Sequence, residues 1–436
     1  MIWNPDCECM SRDQLAELQL RRLREVVARV HARVPFYRER LDAAGVRAED
    51  IRSLEDLRRL PFTTKEDLRA QYPYGLFAVP LREVVRLHAS SGTTGKPIVV
   101  GYTRRDLETW TELVARIAVQ AGVTGEDVAQ IVFGYGLFTG AFGLHYGLER
   151  VGATVVPASA GNTERQIMLM RDFGTTVLVG TPSYVMHLAE VAEEMGINPR
   201  SLGVRLGLFG AEAWSESMRR ELEARWGMKA TDNYGLSEVM GPGVAGECAA
   251  ACGMHVAEDH FLVEVIDPDS GEPVGYGARG ELVITTLTKE ALPVLRYRTR
   301  DITVLHPEPC PCGRTTVRME KVTGRTDDMV TVRGVNVFPS QIESILMDVE
   351  GVAPHYQIVV RRRGFLDELE VRVELEPEKF TGQFRDLAAL EETVRRRLYA
   401  HLGLGVRVRL LEPRSLERST GKARRLIDER VKGDAT

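Results

Sequence analysis

The stretch Ala89-Ser-Ser-Gly-Thr-Thr-Gly-Lys-Pro97 lies between two largely apolar runs, VVRL at 84–87 and IVVGY at 98–102. Its backbone N–H groups, its hydroxyls and the Lys96 ammonium are donors of the kind that surround a phosphate in proteins. A Walker P-loop would need glycine at position 90 and a hydroxyl residue at position 97, but the chain has Ser90 and Pro97 there. The spacing therefore predicts a phosphate-binding loop between two strands, with a flexible polar hairpin as the alternative interpretation.

The residues on either side of this loop predict a largely parallel sheet covered by helices. Between about 84 and 235, short apolar strands alternate with amphipathic helices, and glycine-rich loops follow the strands. Ligands bind to such sheets at the carboxyl ends of the strands. A charge-free run at 131–148 reaches the length of a membrane span, but its five glycines favour a buried strand followed by a glycine-rich loop.

The pattern changes twice further along the chain. Past residue 255 it becomes strand–turn–strand, which indicates antiparallel structure. Past residue 326 the order is helix (341–349), strand (356–361), strand (368–375), helix (386–401) and strand (406–411). We therefore expect an α/β fold with a large N-terminal domain at 1–326 and a small, mobile C-terminal α/β domain at 327–436.

The composition favours a soluble globular protein in the cytoplasm. Of the 436 residues, 44% are hydrophobic and 27% are charged, and the net charge of −5 argues against nucleic acid as a partner. The first ten residues carry acidic side chains and cysteines instead of the basic start and apolar run of a secretion signal. The six cysteines fall in three close pairs, which favours metal-bound or free thiols over a disulfide scaffold. We therefore expect neither a membrane nor a nucleic acid as a partner.

Five glycine- or acid-bearing segments follow the first loop in a fixed order: FGAE (209–212), DNYGLSE (232–238), YRTRD (297–301), GRTDD (324–328) and STGK (419–422). Together with the loop they resemble the adenylate-forming superfamily of acyl-CoA synthetases, luciferases and peptide-synthetase adenylation domains. Longer segments look like the phenylacetate–CoA ligase family, namely GYGLFTGAFGLHYG (134–147), DNYGLSEVMGPGVAGEC (232–248), HVAEDHFLVEVIDP (255–268), CPCGRT (310–315) and GRTDDMVTVRGVNVFPSQIE (324–343). The resemblance runs over nearly the whole chain and is weakest in the first 60 residues.

This resemblance implies a two-step ligase reaction that uses ATP, Mg²⁺ and coenzyme A. A carboxylic acid attacks ATP and gives an acyl-adenylate and pyrophosphate, and the acyl group then passes to the coenzyme A thiol. No side-chain nucleophile is needed, so catalysis would rest on positioning and on stabilisation of phosphoryl charge.

The nucleotide-binding residues of the family transfer to this chain motif by motif. The β- and γ-phosphates would be held by Ser90, Ser91, Gly92, Thr93, Thr94, Gly95 and Lys96. The adenine would be framed by Gly210, Ala211, Glu212, Asp232, Asn233, Tyr234 and Gly235, with the Tyr234 ring stacked on it. Ser237 belongs to the same nucleotide-binding motif. Glu238 would bind Mg²⁺, a hard cation that suits a carboxylate, and Asp301 would accept hydrogen bonds from both ribose hydroxyls.

The remaining catalytic roles implied by the resemblance depend on rotation of the small domain. Arg325 would contact a phosphate, and Asp327 would be the hinge. In one orientation Lys422 would stabilise the carboxylate and the α-phosphate during adenylation. In the other, Gly334 and its neighbours would face the active site and open a path for the coenzyme A thiol.

The substrate pocket is assigned by the same resemblance. The segment GYGLFTG and the residues after it would line the acyl site, which makes Tyr135, Phe138 and Phe142 candidates. Ordinary core packing is the alternative for each of these aromatic side chains. An aromatic pocket would suit an aromatic acid such as phenylacetate or a ring-substituted benzoate.

A zinc site is the second prediction that the resemblance supports. Some members of the family carry C-x6-H followed by C-P-C, and Cys248, His255, Cys310 and Cys312 match that pattern. Three thiolates and an imidazole suit a tetrahedral structural Zn²⁺. Cys252 is a competing ligand, and reduced thiols without a metal are the alternative interpretation.

Two other functions remain open from the sequence alone. The same adenylation could load an aryl acid onto the phosphopantetheine of a carrier protein, because both acceptors present the same thiol arm. A noncatalytic nucleotide-binding or zinc-stabilised scaffold would be expected to lack Lys422, Asp301 or Glu238, and the chain has all three. The sequence does not fix the oligomeric state, and a homodimer is compatible with it.

Overall fold

The computed structural model of the chain describes residues 1–90, 97–322, 324–325, 330–333, 335–363, 366–377, 384–418 and 425–430. Several residues whose roles were inferred from the sequence lie outside these ranges, namely Ser91, Gly92, Thr93, Thr94, Gly95, Lys96, Asp327, Gly334 and Lys422. Ser90, the first residue of the predicted phosphate loop, and Pro97, which follows the loop, lie within them.

In the described part of the chain, the α-helices are α1 (Pro5–Glu8), α2 (Arg12–Arg33), α3 (Pro35–Ala43), α4 (Lys65–Ala70), α5 (Arg104–Ala121), α6 (Gly140–Val151), α7 (Thr163–Phe173), α8 (Pro182–Glu194), α9 (Glu216–Trp226), α10 (Pro339–Met347) and α11 (Phe384–Leu402). The strands there are β1 (Arg86–Ala89), β2 (Val99–Tyr102), β3 (Val128–Ile131), β4 (Thr154–Val156), β5 (Val177–Gly180), β6 (Leu206–Gly210), β7 (Lys229–Leu236), β8 (Gly241–Glu247), β9 (Met254–Val256), β10 (Phe261–Ile266), β11 (Arg279–Thr286), β12 (Tyr297–His306), β13 (Arg318–Met319), β14 (Gly324–Arg325), β15 (Val330–Val332), β16 (Val335–Val337), β17 (Val352–Arg363), β18 (Leu366–Leu375), β19 (Arg407–Leu411) and β20 (Leu426–Asp428).

One large sheet forms the centre of the N-terminal part. Its strands run in the order β10-β11-β12-β13-β9-β8-β7-β6-β5-β3-β4, and β14 pairs with β12. The pairs from β4 to β7 are parallel, whereas the pairs from β7 to β10 along this order are antiparallel. The predicted change from parallel to antiparallel structure is therefore confirmed, although it begins at β8, before residue 255. Strands β1 and β2 form a separate antiparallel pair on either side of residues 91–96, as the spacing predicts.

The run at 131–148 differs from its prediction in its second half. Strand β3 ends at Ile131, but helix α6 begins at Gly140, where a glycine-rich loop was expected. The glycines are needed because α6 packs closely on α5: a Cβ at Gly143 would come within 2.4 Å of the Trp110 ring, and one at Gly147 within 2.2 Å of Val114. The G-x-x-x-G spacing therefore serves helix packing inside the domain. Within the described residues, no helix combines the length and the hydrophobicity that a membrane span requires.

The helix ends follow their local sequence. Ser11 and Gln14 form the capping box that starts α2, and Thr103 with Asp106 does the same for α5. Helix α5 ends at Gly122, whose φ of 110° lies in the left-handed region that favours glycine. These caps fix where the helices that cover the large sheet begin and end.

The C-terminal part is a four-stranded sheet in the order β19-β18-β17-β20, accompanied by α10 and α11. It has its own buried core, which includes Ile358 of β17, Val371 and Val373 of β18, and Val394 and Leu398 of α11. Strand β20 is an addition to the predicted pattern, because three residues are too few to produce a recognisable alternation.

Candidate active site

A cavity of about 500 Å³ lies at the carboxyl ends of β6 and β7, where the C-terminal sheet domain faces the large sheet. Among its lining residues are twelve for which the sequence implied a role: Ser90, Phe138, Ala211, Glu212, Asp232, Asn233, Tyr234, Gly235, Ser237, Glu238, Asp301 and Arg325. Three further nucleotide or substrate candidates that the structure describes, Gly210, Tyr135 and Phe142, do not line it. Most of the nucleotide motif therefore converges on one cavity.

Asp301 is the centre of a hydrogen-bonded group in this cavity. The Tyr234 hydroxyl donates to Asp301 Oδ2 at 2.5 Å, and Arg325 Nη1 lies 3.1 Å from Asp301 Oδ1. Antiparallel pairing of β12 with β14 sets Asp301 opposite Arg325. Burial, together with the Asp301 carboxylate, raises the pKa of Tyr234 well above its ordinary value, so the phenol stays protonated and donates. Asp301 is thereby held as an oriented acceptor.

The backbones of β6, β7 and β8 approach one another too closely for larger side chains at two glycines. A Cβ at Gly210 would come within 2.4 Å of the Asn233 carbonyl oxygen, and one at Gly235 within 2.0 Å of the Gly241 carbonyl oxygen. Asn233 Nδ2 donates to the Phe209 carbonyl oxygen at 2.5 Å, which ties the two strand ends together. The glycines of the two motifs are thus required by this packing, whether or not they contact a ligand.

Asp232 is a buried carboxyl group that lines the cavity. Burial raises its pKa to about 7, and the nearby Lys321 ammonium opposes that shift. Its backbone N–H donates to Glu247, which also accepts two hydrogen bonds from Arg219. A carboxyl group with a pKa near neutrality can hold or release a proton at the place where the sequence puts the adenine.

The surroundings of Glu238 suit a hard cation. Glu238 is 7% exposed and lines the cavity. The hydroxyl of Ser237, the residue before it in sequence, lies 2.9 Å from that of Thr139, and both residues line the same cavity as Glu238. Carboxylate and hydroxyl oxygens are the ligands that Mg²⁺ accepts in phosphoryl-transfer sites, and the residues present fit that ion.

The aromatic candidates separate into two layers. Phe138 lines the cavity. Tyr135 and Phe142 pack edge to face at 5.2 Å, and the Tyr135 hydroxyl lies 3.0 Å from His145 Nδ1. Phe142 also packs on His88 at 5.7 Å. Tyr135 and Phe142 therefore belong to an aromatic cluster that includes one face of α6, the helix whose Gly140 and Leu144 line the cavity.

Residues that the sequence did not single out also line the cavity, namely Lys65, Thr139, Trp214, Thr299, Glu343, Tyr356 and Arg425. Lys65 is the first residue of α4, whose capping box of Thr64 and Asp67 is visible in the sequence. The capping box predicts where the helix starts, but it does not predict that Lys65 lines the cavity. Arg425 precedes the short strand β20, so no periodic pattern marked its position.

A cluster of cysteine and histidine side chains forms where β8, β9 and the 310–312 turn meet. The ligand atoms of Cys248, His255, Cys310 and Cys312 all lie within 4.8 Å of one another. Cys248 Sγ is 3.7 Å from Cys310 Sγ, and Cys312 Sγ is 3.3 Å from His255 Nε2. Tetrahedral zinc with Zn–S bonds of about 2.3 Å holds its sulfurs about 3.8 Å apart, so the donor set fits that metal.

Two further contacts bear on this cluster. His255 Nδ1 lies 3.1 Å from the Thr316 hydroxyl, which leaves Nε2 directed at the thiols. Cys252 Sγ lies 3.5 Å from Cys310 Sγ, so the competing ligand inferred from the sequence is also within reach.

A large domain with a nucleotide-sized cavity at the ends of parallel strands, closed by a small sheet domain, is the arrangement of adenylate-forming enzymes. The family model of AMP-binding enzymes matches residues 16–288, and that of the AMP-binding enzyme C-terminal domain matches residues 334–430. The chain belongs to the AMP-binding enzyme family.

Within this family, the chain is similar to phenylacetate-coenzyme A ligases over nearly its full length. The phenylacetate-coenzyme A ligase of Thermus thermophilus is 50% identical over 99% of this chain and 100% of that protein. The phenylacetate-coenzyme A ligase of Escherichia coli K12 is 49% identical over 97% of each chain. That of Aromatoleum evansii is 49% identical over 98% of this chain and 97% of its own.

Solved structures of 2-hydroxyisobutyryl-CoA ligase resemble the whole chain. The structure in the postadenylation state with 2-HIB-AMP has a TM-score of 0.93 at 31% identity, over 99% of this chain and 93% of that one. The same ligase with 2-HIB-AMP and CoA in the thioesterification state has a TM-score of 0.72 at 32% identity, over 98% and 92%. The arrangement of this chain therefore matches the first state more closely.

Proposed function

We propose that the chain is an ATP-dependent aryl-acid CoA ligase that adenylates a carboxylic acid, releases pyrophosphate and then transfers the acyl group to coenzyme A. The observation that carries the proposal is the identity of about half of all residues, over nearly the full length, with phenylacetate-coenzyme A ligases of several species. The convergence of the nucleotide motif on one cavity supports it.

The chemistry assigned to this chain's residues follows from their charges. Asp301, oriented by Tyr234 and Arg325, would accept hydrogen bonds from the ribose hydroxyls. Arg325 and the loop at 90–96 would offset the charge of the phosphates, and Lys422 would do so at the α-phosphate while the carboxylate attacks. These groups act by position and charge, and no covalent bond to the protein is formed.

The metal and substrate assignments extend the same proposal. Glu238 would hold Mg²⁺, which supplies positive charge to the phosphates when bound. Phe138 would contact the acyl group, with Tyr135 and Phe142 supporting the wall behind it. We propose phenylacetate or a closely related aryl acid as the substrate, because the similar ligases are named for it and because the cavity lies next to an aromatic cluster.

A structural zinc ion and two domain orientations complete the proposal. Zinc would be bound by Cys248, His255, Cys310 and Cys312 and would tie the end of β8 to the 310–312 turn. The chain would divide into a domain at 1–326 and a mobile domain at 327–436, with Asp327 as the hinge and Gly334 on the coenzyme A path. The two states in which the 2-hydroxyisobutyryl-CoA ligase was solved support this division.

The test is an acid-dependent pyrophosphate-release screen over aryl and alkyl acids, with and without coenzyme A. Phenylacetate is expected to give the fastest release, with formation of a thioester and AMP only when coenzyme A is present. Fastest turnover of a long-chain fatty acid would reject the aryl-acid assignment. Adenylation that proceeds to product only with a phosphopantetheine carrier protein would favour the carrier-loading alternative.

A further inference from the structure

Glu190 on α8 of the large domain is bound by residues of the small domain. His355 Nε2 lies 2.5 Å from Glu190 Oε1, and Arg418 Nε lies 3.5 Å from Glu190 Oε2. His187, on the same helix, is 3.6 Å away. Although burial alone raises the pKa of Glu190, the hydrogen bond from His355, the nearby His187 ring and the charge of Arg418 hold it well below its ordinary value. The carboxylate is therefore charged and shared between domains.

Arg418 is also fixed within its own domain. Its Nη2 lies 2.7 Å from Glu374, a fully buried residue on β18. Glu374 accepts hydrogen bonds from the backbone N–H groups of Arg414 at 3.0 Å and Leu416 at 2.7 Å. These contacts hold residues 414–418 on the small sheet. Because Arg418 also pairs with Glu190, they link the small sheet to the large domain.

A second contact of the same kind occurs seven residues later. Arg425 Nη2 lies 3.3 Å from Glu343, and the Arg425 guanidinium stacks 4.2 Å from the centre of the Tyr356 ring. Glu343 also accepts a hydrogen bond at 2.9 Å from the backbone N–H of Ser215 in the large domain. The residues on either side of 419–424, the segment that contains Lys422, are thus each linked to the large domain through a carboxylate.

These contacts belong to the domain arrangement described here. That arrangement matches the postadenylation state of the 2-hydroxyisobutyryl-CoA ligase with a TM-score of 0.93 and its thioesterification state with one of 0.72. An ion pair that forms in only one of two states shifts their populations by its own interaction free energy.

We infer that Glu190 is a positioning residue for adenylation: by binding His355 and Arg418 it stabilises the domain orientation described here, in which Arg425 of the small domain lines the active-site cavity. The inference rests on the proposed two-step function. It predicts a selective effect, because loss of the contact disfavours the orientation used for adenylation and leaves the orientation used for thioester formation unaffected.

Glu190→Gln tests the inference, because it keeps the side-chain shape and removes the charge. We expect acid-dependent ATP–pyrophosphate exchange to fall by about tenfold or more, while thioester formation from synthetic phenylacetyl-adenylate and coenzyme A stays within about twofold of wild type. Glu193→Gln is the matched control, since Glu193 lies on the same helix and pairs with Arg225 of the same domain at 3.4 Å. It should leave both half-reactions unchanged.

Equal losses in both half-reactions, or no loss in either, would overturn the inference. A second measurement separates this outcome from failure of the proposed function. Site-specific fluorophores at the exposed positions Arg171 on α7 and Arg395 on α11 report the distance between the domains without turnover. Glu190→Gln should shift that distance distribution away from the wild-type one. An unchanged distribution would overturn the inference even if no acid tested were a substrate.

Discussion

Lys289 is a buried cation that the proposed reaction does not use. It is 1% exposed, and its ammonium lies 3.2 Å from the centre of the Tyr102 ring and 3.6 Å from the Met240 sulfur. Burial lowers its pKa to about 7, and the Asp106 carboxylate opposes that shift. Between about pH 7 and 10 the unfolded chain therefore binds more protons than the folded one, so this group makes stability rise with pH across that window.

Lys289→Met should remove this dependence, because methionine fills a similar volume without a charge. We expect the variant to be more stable than wild type at pH 7 by on the order of a few kcal/mol, with the difference shrinking towards about pH 9.5. Urea unfolding of both proteins at the two pH values measures it. A difference that does not depend on pH would contradict the account.

Lys422 lies outside the described residues, and its role is open to a direct test. Lys422→Ala should lower acid-dependent pyrophosphate release by roughly 10²–10³ or more, because a key charge stabiliser of the adenylation step is lost. Conversion of synthetic acyl-adenylate and coenzyme A to the thioester should continue at near the wild-type rate. If both half-reactions slow equally, Lys422 serves both steps or is structural, and the two-orientation mechanism does not hold for this chain.

Among the structural elements, β7 depends most directly on a glycine. A Cβ at Gly235 would meet the Gly241 carbonyl oxygen at 2.0 Å and Pro242 Cα at 2.7 Å, both of which are backbone atoms. Gly235→Ala should therefore cost roughly 1–3 kcal/mol or more of stability and weaken ATP binding, because β7 carries residues that we propose to frame the adenine. Gly275→Ala, where nothing lies within 4 Å, is the control. Urea unfolding and ATP calorimetry report both effects, and equal behaviour of the two variants would refute the packing argument.

The proposed zinc ligands lie at the end of β8, on β9 and in the 310–312 turn. We predict one tightly bound zinc per chain in protein purified without added metal, measured by elemental analysis. Cys310→Ser should lose the metal and lower the melting temperature. Cys252→Ser should retain the zinc, because Cys252 is not one of the four proposed ligands. Substoichiometric zinc in the wild type, or zinc that survives Cys310→Ser, counts against the site.

The sequence predicts elements well where a period is long enough to read. It places a helix at 386–401 and a strand at 406–411, and the structure has α11 (Phe384–Leu402) and β19 (Arg407–Leu411) there. It misses α6, because five glycines in the 131–148 run are typical of a loop and only the neighbouring α5 explains them. A helix that needs glycine for close packing is not visible without its partner.

At the scale of the whole molecule, the cavity joins residues that are far apart in sequence. The motifs gave Asp232, Asp301 and Arg325, because their order along the chain is specific. The motifs did not identify Lys65 near the start of the chain or Arg425 near its end as cavity residues, because no local pattern marks a residue that lines a site only after folding. Glu343 of the small domain also lines the cavity, and the arrangement of the two domains, in which it accepts a hydrogen bond from Ser215, is what brings it there.

The central claim is that acyl activation passes through an AMP ester, and transfer of ¹⁸O tests it most directly. The chain is incubated with phenylacetate labelled with ¹⁸O at both carboxyl oxygens, ATP, Mg²⁺ and coenzyme A, and the products are analysed by mass spectrometry. One labelled oxygen should appear in each AMP, because the attacking carboxylate oxygen stays on the α-phosphate when the thiol displaces AMP. The other should remain in phenylacetyl-CoA, and pyrophosphate should be unlabelled. Label in inorganic phosphate with ADP as the product, or a thioester formed without labelled AMP, would contradict the account.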